Sequence, residues 1–126
     1  MEIFKIKVDI NLHVMKEKQS LNSLLTKIIE SLSKDFEQNR PDLVMVQGDT
    51  TSALGASLCA FNQNIKVAHV EAGLRTNSLL EPFPEEANRR LISQISYLNF
   101  APTKSAKRNL IKENISNKIC ITGNTV

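Results

Sequence analysis

Five short strand-like runs, each divided from the next by a stretch with helical spacing, constrain the fold of this chain more than any other feature. Val8, Ile10, Leu12 and Val14 alternate with polar neighbours, the pattern of a half-buried strand over residues 8–14. From Leu21, apolar residues recur at Leu24, Leu25, Ile28, Ile29, Leu32 and Phe36, a helical period with Ser20 placed to cap it. Residues 43–46, Leu-Val-Met-Val, form a continuous apolar run of the kind buried in parallel sheets. Thr50, Thr51 and Ser52 offer capping hydroxyls to a helix running through Ala53, Leu54, Ala56, Leu58 and Phe61. Residues 66–70 read as the third strand, and residues 71–83, with Gly73 and Pro82 and no clear period, as a loop. Pro84 suits the first position of a helix whose inner face is expected to be Ala87, Leu91, Ile92 and Ile95. A strand at 97–101, a helix at 103–113 and a strand at 118–122 complete the series, and Gly123-Asn124-Thr125-Val126 reads as a turn. Strands alternating with helices specify an α/β fold with a parallel sheet and right-handed crossovers.

A chain of 126 residues with 41% hydrophobic content suffices for one domain with a real core, and not for two. The formal charge of +3 is mild and its basic residues are scattered, so no nucleic-acid partner is expected. Aromatics make up only 5%, too few for a base-stacking platform. Cys59 and Cys120 sit in apolar runs without metal-ligand spacing and read as two buried reduced thiols. No apolar run reaches the ~20 residues of a membrane span. Nothing like a signal peptide heads the sequence, so the cytoplasm is the expected location and no membrane partner is expected.

The chemistry concentrates in three acids. In open parallel sheets, ligands bind beyond the carboxyl ends of the strands. Asp49 follows the strand at 43–46, and Glu71 follows the strand at 66–70. Glu85 opens a helix after a loop leaving that same edge. Gathered carboxylates in a partly dry cleft, with Arg75 near, need not titrate alike, so one can accept a proton while another donates. Structural readings stand beside this one. Asp49 also suits a helix cap, Glu71 and Arg75 an ion pair within the loop, and Glu86 a complement to the helix dipole. His69 reads as a hydrogen-bonded core residue rather than a catalytic one. Neither His69 nor His13 has metal-ligand spacing, so no metal is expected. No Gly-rich phosphate loop is present.

The blocks Gly48-Asp49-Thr50-Thr51, His69-Val70-Glu71-Ala72-Gly73-Leu74-Arg75-Thr76, Pro82-Phe83-Pro84-Glu85-Glu86-Ala87-Asn88-Arg89 and Thr122-Gly123-Asn124-Thr125 resemble the bacterial non-hydrolysing UDP-N-acetylglucosamine 2-epimerases, in order and spacing, over nearly the whole chain. The resemblance implies a Rossmann-like domain with helices on both faces of its sheet, one of two such domains facing a cleft as in GT-B enzymes. It implies an isomerase that interconverts UDP-N-acetylglucosamine and UDP-N-acetylmannosamine for cell-surface polysaccharide, by eliminating UDP and adding it back. Asp49, Glu71 and Glu85 match the family's acids of the catalytic cleft, with Asp49 and Glu71 also touching the UDP-sugar substrate. No cofactor is implied, because elimination and re-addition change no oxidation state, and the full-length enzyme is expected to be a homodimer. Gln19 falls in a segment that in some members contacts an allosteric UDP-sugar, although Lys18 stands there in place of an Arg.

The same resemblance makes residues 1–126 an incomplete first domain, lacking a Gly-Thr-Arg-Pro-Glu phosphate loop and the nucleotide-binding second domain. On that reading, the strand at 43–46 has a free edge, and residues 8–14 either move onto it or detach. A non-catalytic interaction module and a hydrolysing relative that releases N-acetylmannosamine and UDP are the alternatives.

Overall fold

A computed structural model describes residues 7–76, 78–115 and 117–124. Strands β1 (Leu43–Gln47), β2 (Lys66–Val70), β3 (Leu98–Ala101) and β4 (Lys118–Ile121) form one parallel sheet in the order β1-β2-β3-β4. Helix α1 (Leu21–Gln38) precedes β1, and α2 (Thr51–Asn62), α3 (Glu85–Ile95) and α4 (Lys104–Lys112) make the three crossovers. Three helices start at a hydroxyl cap: Ser20, Thr50 and Thr103 accept from the backbone N–H three residues on, at 3.2, 3.1 and 3.0 Å. Such caps contribute about 1 kcal/mol each.

Val46, His69, Asn99 and Ile119 stand side by side across the four strands. Val46 packs with α2 residues Ala53, Leu54, Cys59 and Ala60 in the main core, His69 faces Ser93 of α3, and Ile119 lies against Ala106 and Leu110 of α4. All three crossovers therefore cover one face of the sheet, as equal right-handed steps in one direction require. Helix α1 packs on α2, where Gly55 lets Leu25 and Ile28 come close. The parallel α/β class is as the sequence specifies; helices on both faces are not seen among the described residues.

Three local expectations need correction. Residues 8–14 form no strand and leave Val8 and Ile10 exposed, so the alternating pattern joins no ladder and the segment is not paired with β1. Strand β1 forms as expected, but as the edge of the described sheet it buries only Val46 and leaves Met45 60% exposed. In α3 the buried residues are Glu86, Asn88, Ile92 and Ser93, while Leu91 points outward. The inner face of that helix is polar because it packs against the Thr76 backbone N–H of the loop and against the backbone carbonyl and carboxylate of Asp49 in the β1–α2 turn. Cys59 is buried as expected, whereas Cys120 is half-buried, and both are free thiols. In the terminal turn Gly123 has a φ of +79°, and Thr125 and Val126 lie outside the described residues, as does Asn77 of the long loop.

Candidate functional site

Asp49 and Glu71 follow the carboxyl ends of neighbouring strands, and two hydrogen bonds to the Gly48 backbone hold these ends together. The Gly48 N–H donates to Val70 O at 3.0 Å, and His69 Nε2 donates to Gly48 O at 2.8 Å. Gly48 turns the chain with a φ of +74°, and a Cβ built there would stand 3.5 Å from a Glu71 carboxylate oxygen. The Glu71 carboxylate thus lies beside the turn that presents Asp49. Glu71 itself has a φ of +66°. A side chain larger than Asn in the left-handed region carries strain of roughly 1–2 kcal/mol, so the fold holds this residue against its local preference.

Helix α3 closes the site from the other side. Arg89 Nη2 donates to Asp49 Oδ2 at 2.5 Å, and Asn88 Nδ2 donates to Asp49 O at 2.8 Å. Glu85 lies one turn before Arg89, hence on the same helix face, and is half-buried. The structure therefore brings all three acids to one edge of the sheet. Among the described residues no hydrogen bond or ion pair holds the side chain of Glu71 or Glu85, whereas Asp49 is committed to Arg89.

Gln19 stands apart from these bonds. Its Oε1 accepts from the Lys16 N–H at 3.2 Å and its Nε2 reaches Met15 Sδ at 3.6 Å, so it braces its own turn ahead of α1.

The structural alternatives resolve differently from residue to residue. The α2 cap is Thr50, so Asp49 is free of that duty. Arg75 pairs bidentately with Glu113 of α4, both contacts at 2.7 Å, and not with Glu71. The Arg75 guanidinium in turn holds the Glu113 carboxyl below its usual range. His69 is fully buried, and burial lowers its pKa to about 4, so it is a neutral donor to Gly48 O with Nδ1 facing Ser93 Oγ at 3.4 Å. That is the core role expected of it. Glu86 is more than a dipole complement: it is fully buried, accepts from Arg90 Nε at 2.7 Å and from the Thr76 N–H at 3.1 Å, and faces Arg89 Nη1 at 3.4 Å.

Arg89, Asn88 and Arg90 escaped the sequence reading. The signal for the two arginines was present in the i,i+3 and i,i+4 spacing of Glu85 and Glu86 to Arg89 and Arg90, whereas Asn88, which bonds a residue 39 positions away, had none. Two cavities of the described chain lie elsewhere. One of about 500 Å³ sits at the amino ends of the strands, against Phe61, Ile65, Lys66 and Tyr97, and one of about 430 Å³ beside α4, against Lys107, Arg108 and Ile121. Neither contains any of the three acids, which line an open edge, and the chemistry of the side chains is the better guide to the site. Among the described residues no helix is long and apolar enough to cross a membrane.

The family model described as UDP-N-acetylglucosamine 2-epimerase matches residues 1–126. The UDP-N-acetylglucosamine 2-epimerase of Neisseria meningitidis is 53% identical over 127 residues, all of this chain and 34% of that protein. A putative UDP-N-acetylglucosamine 2-epimerase of Thermotoga maritima is 50% identical over 126 residues, again all of this chain and 33% of the relative. The crystal structure of the Neisseria meningitidis UDP-GlcNAc 2-epimerase bound to UDP-GlcNAc superposes with a TM-score of 0.94 over 98% of this chain and 34% of that one. The Methanocaldococcus jannaschii enzyme in complex with UDP-GlcNAc and UDP gives 0.91 at 39% identity, over 98% of this chain and 33% of that one. The chain spans about a third of the length of the relatives it matches.

Proposed function

Because this chain belongs to the UDP-N-acetylglucosamine 2-epimerase family, we propose that it supplies the carboxylate wall of an isomerase site that inverts carbon 2 of a UDP-N-acetylhexosamine. The observation that carries the reading is the placement of Glu71: left-handed backbone, side chain unpaired among the described residues, and carboxylate beside the Gly48–Asp49 turn. Strain kept at a residue that makes no structural bond is accounted for by what the residue does. Inverting carbon 2 by elimination and re-addition needs a group that removes the carbon 2 proton from one face and a group that returns one from the other. Among the described residues Glu71 and Glu85 are uncommitted and suited to that exchange, while Asp49, fixed by Arg89, suits a catalytic role in orienting the sugar as the carbon 2 proton is lost. The three acids line an open edge, so the diphosphate and the far wall of the cleft fall to a second domain. Support for a UDP-sugar as substrate comes from the relatives whose structures hold UDP-GlcNAc.

The test is a chimera in which this chain replaces the matching third of the Neisseria meningitidis enzyme. Asp49→Asn, Glu71→Gln and Glu85→Gln are expected to lower kcat by at least on the order of 100-fold with smaller effects on KM, as for groups acting mainly in the transition state. Wild-type turnover in any one variant removes that residue from the mechanism.

A further inference from the structure

Glu86 is the one fully buried carboxylate of the site, and the chemistry proposed above does not use it. It opens a chain of alternating charges. Glu86 faces Arg89, which holds Asp49; Glu86 also binds Arg90, which faces Glu113, and Glu113 binds Arg75. Three guanidiniums meet three carboxylates, so the network is balanced. Glu86 has a second task. Its Oε2 accepts from the Thr76 N–H at 3.1 Å, and its partner Arg90 donates to Thr76 O at 3.1 Å. Both backbone polar groups of Thr76 are thus clamped from α3, five residues after Glu71 on the same loop. The Thr76 hydroxyl extends the clamp to Ser78 O and Glu81 O, at 2.9 and 2.6 Å.

We propose that Glu86 is a positioning residue that fixes two of the proposed catalytic acids at once: Asp49 through Arg89, and Glu71 through the Thr76 clamp. The proposal rests on the functional reading above. A glutamine at 86 keeps the shape but removes the charge shared by Arg89 and Arg90, and turns an amide N–H₂ toward one of them. Arg89 then loses the group that aims it, and the loop loses its anchor. A misplacement of about 1 Å at reacting groups costs on the order of 100-fold in rate. Glu113 is the comparator, because it belongs to the same network but touches neither Arg89 nor Thr76.

In the Neisseria meningitidis chimera, Glu86→Gln is expected to lower kcat roughly 10- to 100-fold with KM within about threefold, and Glu113→Gln to change kcat by less than about threefold. If Glu86→Gln unfolds, Glu86→Asp keeps the charge but is too short to hold both Thr76 and Arg90, and must show the same loss of kcat. Turnover by Glu86→Gln within threefold of the parent, or an equal loss in Glu113→Gln, overturns the proposal. An inactive but folded parent chimera instead counts against the functional reading. A second readout needs no activity: in this 126-residue chain, Glu86→Gln should shift the Asp49 carboxyl ¹³C signal and the Thr76 amide signal, and Glu113→Gln should leave that of Asp49 in place. An Asp49 signal unmoved by Glu86→Gln overturns the proposal on structural grounds alone.

Discussion

Replacing Gly73 by alanine probes how the loop that carries Glu71 is seated. Gly73 has a φ of +89°, and its carbonyl accepts from Asn109 Nδ2 at 3.0 Å. A Cβ there would stand 2.3 Å from Ala106 O, 2.8 Å from Ala106 C and 2.9 Å from Leu110 Cγ. Close carbon-to-oxygen contacts are about 3.3–3.6 Å, so the intrusion is roughly 1 Å. Two of the three atoms met are helix backbone and cannot rotate away. The left-handed backbone costs an alanine about 1–2 kcal/mol, and overpacking costs about 1–3 kcal/mol more. The smaller freedom of the unfolded alanine chain returns about 0.4–1 kcal/mol. The expected net loss is about 1–4.5 kcal/mol, read as a lowered midpoint in urea unfolding of this chain. Gly55→Ala is the control, since its nearest neighbour is the movable Cγ2 of Ile28 at 2.8 Å and helix propensity favours alanine there. A Gly73→Ala protein within about 0.5 kcal/mol of the parent, or more stable than Gly55→Ala, would refute the reasoning.

His69 should make stability depend on pH. Its folded pKa is about 4 against 6.5 unfolded. Above pH 6.5 both states are neutral. Between 6.5 and 4 only the unfolded chain takes up the proton, so stability falls as pH falls, by up to about 1.4 kcal/mol per pH unit. Glu113, held below its ordinary value by Arg75, adds a loss in the same direction at lower pH. His69→Gln should flatten urea midpoints between pH 4.5 and 6.5; an unchanged slope would count against a buried neutral imidazole. Glu71→Gly, which relieves a φ of +66°, should leave the chain as stable as the parent or up to about 1 kcal/mol more so. A clear loss in thermal melting would mean that the Glu71 side chain makes a structural bond after all.

The layered α/β order was legible because each crossover helix carries its own period or cap and each strand its own apolar run, both local properties. Burial was less legible, since it depends on what lies across an element. Residues 8–14 carry a strand pattern, but alternation makes a strand only where a ladder receives it. Leu91 looked inward by period, yet α3 turns Glu86, Asn88 and Ser93 inward because the loop, the Gly48–Asp49 turn and His69 of β2 offer them bonds. The positions of Asp49 and Glu71 followed from strand ends alone. The ion-pair order, Arg89 to Asp49 and Arg75 to Glu113, spans 40 and 38 residues and has no local signal.

The proposal that this edge handles the proton of carbon 2 is tested most directly by running the Neisseria meningitidis chimera on UDP-N-acetylglucosamine in deuterated water and reading carbon 2 by NMR. Deuterium should appear at carbon 2 together with the manno epimer, exchange and epimerisation should fall together in Glu71→Gln and Glu85→Gln, and this chain alone should give neither. Epimer formed with protium retained at carbon 2, or exchange at the parent rate when both glutamates are amides, would contradict the account.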